Sequence, residues 1–163
     1  MGGEASALNR FFNIEESRVC AETQFLSAKT RRLYEWWAGA NGGRMPTRRM
    51  FDVTEHRAIV ASLFLTEVTR EGEFVFRLLG EEVIQMIGRN PTGDVVKRIG
   101  SAAYGHALHE YYRSIVASRE CRKCFGSLAF ADKDFRYFES IDCPLSNDGL
   151  RVDYIVGAMD LVG

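Results

Sequence analysis

The chain has 163 residues, 46% of them hydrophobic, with 21 Lys and Arg set against 22 Asp and Glu. That length fits one domain with a terminal extension, and the apolar share describes a globule rather than a disordered tail. A formal net charge of −1 removes the electrostatic argument for nucleic acid or an anionic membrane as partner. No apolar run approaches the roughly 18–20 residues that span a bilayer, and Glu4, Asn9 and Arg10 interrupt any signal-peptide core. A cytoplasmic location is the expectation.

Residues 1–22 carry no sustained period and read as an arm or a short first helix. A helical pattern begins at Thr23 or Ser27, either of them a suitable N-cap, with Leu26, Leu33, Trp37 and Ala40 at helical spacing. It stops near Gly39, ahead of Asn41-Gly42-Gly43. Leu33, Trp36 and Trp37 form a packing face, for the chain's own sheet or for a second copy. Residues 52–61 offer a turn or two of helix behind Asp52 or Thr54. Residues 63–69 and 74–79 then read as strands around Arg70-Glu71-Gly72, an antiparallel hairpin. Plain alternation puts Phe74, Phe76 and Leu78 on one face and Val75, Arg77 and Leu79 on the other. Both faces are largely apolar, so both are expected to be covered.

Residues 81–87, 94–99 and 102–118 read as helices, separated by Gly88-Arg89-Asn90-Pro91-Thr92-Gly93 and by Gly100-Ser101. Three strand-like runs close the chain at 123–131, 135–143 and 151–161. The separators between them, Asp132-Lys133-Asp134 and Ser146-Asn147-Asp148-Gly149, are turn chemistry. Connections this short disfavour a parallel crossover fold. The expectation is an α+β domain: a five-stranded antiparallel sheet, a helical insert after strand 2 and an N-terminal helix. Residues 1–50 form the arm and amphipathic helix, and 51–163 the domain.

Cys20, Cys121, Cys124 and Cys143 make no dense framework and read as reduced thiols. Cys121-Arg122-Lys123-Cys124 is a C-x-x-C, but it enters a strand rather than opening a helix, and no further ligands follow at zinc spacing. Phe125 stands where covalent haem attachment would need His. The cluster Arg44, Arg48 and Arg49 has few aromatic neighbours, which speaks for a solvated loop over a nucleic-acid contact.

The element order, with particular residues, resembles one bacterial PAS-like family. The residues are Leu33-Tyr34-Glu35-Trp36-Trp37, Gly42-Gly43-Arg44-Met45-Pro46, Leu63-Phe64-Leu65-Thr66-Glu67-Val68 and Phe76-Arg77-Leu78-Leu79-Gly80. Gly88-Arg89-Asn90-Pro91-Thr92-Gly93, Pro144-Leu145-Ser146-Asn147-Asp148-Gly149 and Val152-Asp153 continue the match. Val60-Ala61-Ser62 departs from the Leu-Pro-His run that members often carry. The resemblance implies a PAS-like five-stranded fold and a sensory or interaction domain, free-standing and signalling in trans to an unknown partner protein. It implies a small-molecule ligand, or none, between sheet and helices, and a homodimer; nucleic-acid and membrane partners are not expected from the charge and composition.

Flavin-binding photosensory members carry a reactive Cys after Gly-x-Asn, and here Pro91 follows Gly88-Arg89-Asn90. Haem-binding members use a His on the long helix. There Tyr104, Leu108, Tyr111 and Ile115 share the core stripe, His106 lies opposite beside Glu110 and Arg113, and His109 lies at the boundary. His109 therefore reads as a partly exposed structural residue. No cofactor, metal or catalytic residue is expected. The candidate ligand-binding set is Phe76, Arg77, Leu78, Tyr104, Leu108, His109, Tyr111 and Tyr137. Arg77 is a forked anion donor, a salt-bridge partner of a residue such as Glu139 or Asp142, or a snorkelling stem at the sheet edge. Ser127, Tyr137 and Ser140 line a pocket or alternate outward. The competing reading is a small α+β enzyme with a cavity between sheet and helices, which lacks a nucleophile–base motif.

Overall fold

The computed structural model describes residues 6–163, apart from the side chain of Asp134. The first five residues of the expected arm lie outside the described residues. The rest of the arm forms two elements. Ser6 accepts from the Asn9 amide at 3.2 Å and caps helix α1 (Ala7–Phe12), which Asn13 ends at φ 54°. The chain turns directly into strand β1 (Ile14–Arg18). Helix α2 (Ala28–Ala40) follows, capped by Ser27, which takes the Lys29 and Thr30 amides. Two 3-10 turns, Arg48–Met50 and Val53–Ser62, lead to β2 (Leu63–Val68) and β3 (Phe74–Leu79). The insert comprises α3 (Glu81–Ile87), a 3-10 turn at Val96–Arg98 and α4 (Ala102–Ser118). Strands β4 (Arg122–Leu128), β5 (Lys133–Leu145) and β6 (Tyr154–Val162) complete the chain.

All pairings are antiparallel, in the order β1-β4-β5-β6-β2-β3. The five expected strands are present with the insert after the second of them. The sixth, β1, comes from the arm. Its sequence Ile-Glu-Glu-Ser-Arg buries only Ile14, so it has no apolar alternation to betray it. It is held as an edge strand by backbone pairing to β4.

Alternation gives the sheet two covered faces. Phe64, Phe76, Phe138 and Met159 join α3, α4 and α1 in one apolar cluster. Leu63, Leu65, Ile141, Cys143 and Val156 join Leu33 of α2 in the other. The Trp helix therefore docks on its own sheet: Leu33 is fully buried, and the Trp37 indole donates to the Pro144 carbonyl at 2.8 Å. Trp36 meets Phe51 and His56 edge-on at 5.2 and 5.4 Å. An interface between copies through Leu33 is corrected by this packing, because no surface of Leu33 remains to offer.

On the inner side, α4 crosses the 3-10 turn at a glycine. A Cβ on Gly105 would stand 2.2 Å from the Lys97 carbonyl oxygen, a backbone atom. Gly105→Ala is therefore expected to destabilise by about 2 kcal/mol, the overpacking cost exceeding the helix-propensity gain. Urea unfolding checks this; an unchanged or raised midpoint would contradict it.

Candidate functional site

Between the inner sheet face and the helices lies a cavity of about 130 Å³. Phe64, Phe76, Leu79 and Met159 supply its sheet wall, Val83 and Ile87 of α3 one flank, and Tyr104 and Leu108 of α4 the other. Leu8 of α1 closes a further side, so the arm completes the cavity. Phe12 packs edge-on against Tyr104 at 5.2 Å, and Phe130 stacks on the same ring at 4.8 Å. Pro91 and Arg89 stand at its rim, where Arg89 pairs with Asp94 at 3.3 Å.

One part of this apolar wall is polar. Residues 138, 140 and 142 of β5 face inward, which brings Ser140 and Asp142 to the cavity beside Cys124 of β4. Asp142 is 3% exposed, and the Tyr111 hydroxyl donates to its Oδ2 at 2.7 Å. The Tyr112 hydroxyl faces the same carboxylate. Oδ1 is buried and has no hydrogen-bond partner. Burial pushes the Asp142 carboxyl up to about 7, against the opposing pull of the two tyrosine hydroxyls. Burial likewise pushes the hydroxyls of Tyr104, Tyr111 and Tyr112 and the Cys124 thiol far above their usual values, so all four are neutral.

Of the eight residues expected from sequence, four line the cavity: Phe76, Tyr104, Leu108 and Tyr111. The other four do not. In the β2–β3 ladder Leu65 pairs with Leu78 and Thr66 with Phe76, which leaves Arg77 unpaired in a bulge. The extra residue reverses the alternation beyond it. Leu79 turns into the cavity, while Leu78 is 50% exposed. Arg77 sits outside, its Nε donating to Glu67 Oε2 at 2.7 Å, a surface pair with neither of the expected partners. Tyr137 faces outward and stacks on Phe125 at 6.0 Å. His109 is buried rather than partly exposed, because the Phe74 ring of β3 covers it edge-on at 5.1 Å. Its burial lowers its pKa, and it stands outside the cavity lining.

From the sequence Asp142 was only a partner for Arg77, Ser140 stood open between pocket and surface, and Leu79 and Cys124 were not placed at the site. The pattern that finds them is the alternation of β5, in which Glu139, Ile141 and Cys143 face α2 and Ser140 and Asp142 the cavity. The C-x-x-C splits for the same reason. Three residues apart on a strand, Cys121 enters the outer core near Cys143 and Cys124 the cavity. All four cysteines are free. Among the described residues no cluster of His, Cys, Asp and Glu is arranged to hold a metal, and no helix is long and apolar enough to cross a membrane.

The residues do not fit a flavin or an axial haem ligand. A cavity of about 130 Å³ has room for one small ring, not three fused ones. Pro91 offers no thiol, and His109 does not line the space.

A family model described as a PAS domain matches residues 26–158. Among solved structures, an RNA-binding light-oxygen-voltage receptor is similar at 11% identity with a TM-score of 0.52. The match covers 91% of this chain and 38% of that one, so the chain spans well under half of that receptor's length. At that identity the likeness is one of fold. No curated protein matches the sequence.

Proposed function

The chain belongs to the PAS-domain family, and from that premise we propose a sensory module whose cavity takes up a small ligand and whose occupancy is read by a partner protein. The family's role is sensory and regulatory rather than catalytic. The observation that carries the ligand reading is the cavity itself. Protein cores pack to crystal density, and about 130 Å³ left open costs about 3 kcal/mol in lost contacts. A core built for stability alone would fill that space, and an occupant recovers those contacts.

The N-terminal arm is the proposed route outward. Its α1 contributes Leu8 to the wall and leads directly into edge strand β1, so occupancy bears on a segment at the molecular surface. Toluene serves as a neutral probe of cavity size. Titration followed by methyl NMR is expected to give saturable shifts at Leu79, Val83 and Met159, with slowed amide exchange over Ala7–Phe12. Unmoved methyl signals up to the solubility limit would leave a ligand-free adaptor, recognised by its surface alone.

A further inference from the structure

Buried charges in folded proteins are paired, because an isolated carboxylate loses its hydration without recompense. Asp142 has no such counter-charge, and burial keeps its carboxyl protonated up to about pH 7 instead. Its Oδ2 is satisfied by Tyr111, Oδ1 is buried with no hydrogen-bond partner, and the residue lines the cavity.

Among the described residues no positive charge is paired with the carboxylate. From α4 the carboxylate is faced by the hydroxyls of Tyr111 and Tyr112, with Tyr104 nearby; from β4 it meets the Cys124 thiol. All of these are neutral. Arg122 is the cross-strand neighbour of Asp142; its Nη2 pairs with Glu16 of β1 at 3.0 Å, and its buried Nε makes no hydrogen bond to the carboxylate. Arg89 at the rim is engaged by Asp94. The site is thus an apolar one-ring space with a single unpaired anionic acceptor in its wall.

We propose that the natural occupant is a small apolar amine, bound as its ammonium ion, whose N–H donates to Asp142 Oδ1 while its hydrocarbon part fills the cavity. This rests on the ligand-binding reading and assigns the chemistry of that ligand. An ammonium supplies both the donor and the charge that Oδ1 lacks. A neutral alcohol supplies the donor alone, and a carboxylate would be repelled. The carboxyl's ordinary protonation in the empty protein, near neutrality, makes uptake of the cation release a proton below about pH 7.

The experiment is calorimetric titration of the full chain with benzylamine, benzyl alcohol and toluene, three probes of one ring each. At pH 8, benzylamine is expected to bind at least about tenfold more tightly than either neutral probe, as a charge-assisted hydrogen bond provides. Below pH 7 its affinity is expected to fall about tenfold per pH unit, while toluene's stays level. Asp142→Asn is expected to erase the advantage. Should that variant not fold, the wild-type pH profile decides alone. Toluene binding with no gain for benzylamine overturns the amine assignment and leaves the cavity reading standing. Benzyl alcohol matching benzylamine overturns the requirement for charge, and a flat profile places Arg122 on Asp142 instead. Binding of none of the three overturns both readings.

Discussion

Replacing Glu139 by Ala is expected to cost about 3–5 kcal/mol and to loosen α2 from the sheet. Glu139 sits mid-sheet on β5 with no exposed surface. It accepts from the Leu26 amide at 2.9 Å, the Ser27 amide at 3.0 Å, the Thr30 hydroxyl and Lys123 Nζ at 3.1 Å. Truncation would leave these donors buried around a void, with Lys123 stripped of its counter-charge. In a chain of this length the loss corresponds to a fall in Tm of roughly 10 °C. Burial alone would raise the Glu139 carboxyl, but the two amides, the hydroxyl and Lys123 together hold it below its usual value. Its contribution is therefore present above about pH 4.5 and is lost as pH falls through the lowered value. Thermal unfolding with tryptophan emission checks both parts, since Trp37 reports the docking of α2 on Pro144. A loss below about 1 kcal/mol with unchanged emission would show that α2 is held by its apolar face alone.

The same strand explains how far the sequence reading reaches. The order of strands and longer helices was legible because strong periods, Ser caps and glycine stops agree from residue 27 on, although 129–131, expected as strand, form a 3-10 turn and 94–99 hold only the 3-10 turn Val96–Arg98. Four of the candidate site residues were legible because the α4 stripe and the first half of β3 keep their regular periods. The second half of β3 does not. A bulge leaves no mark in Phe-Arg-Leu-Leu, and one extra residue exchanges the roles of Leu78 and Leu79. His109 lies at the edge of the helical stripe, where burial is decided by which ring lies opposite, here Phe74 from another element. Strand β1 was hidden because an edge strand depends on backbone pairing rather than on apolar side chains. Asp142 was visible as a charge in an apolar strand. Its meaning depends on the face it takes, and alternation alone does not say which face carries helices α3 and α4.

That carboxylate sets the second large expectation. In the folded chain Asp142 titrates near 7, whereas the unfolded chain's carboxyl titrates at its ordinary value of about 3.8. Between those values the folded state binds one proton more than the unfolded state, so its share of stability falls as pH rises. The slope is about 1.4 kcal/mol per pH unit, and the total approaches about 4 kcal/mol before levelling above pH 7. His56 and His109 act in the opposite sense. Burial lowers both, so their contribution is lost as pH falls through the histidine range. The diagnostic quantity is therefore the difference between wild type and Asp142→Asn, measured by urea unfolding from pH 4 to pH 8. Asn keeps an acceptor for the Tyr111 hydroxyl, and any fixed cost of its buried amide shifts the whole difference without tilting it. The difference is expected to move by about 4 kcal/mol in favour of Asn as pH rises. A level difference would mean that Asp142 stays ionised in the empty fold with a partner of its own. Saturating benzylamine should flatten the wild-type profile, because the bound cation stabilises the ionised carboxylate that the empty cavity disfavours. Loss of the slope on adding the amine, and its persistence with toluene, would tie the stability of the fold to the charge of the occupant.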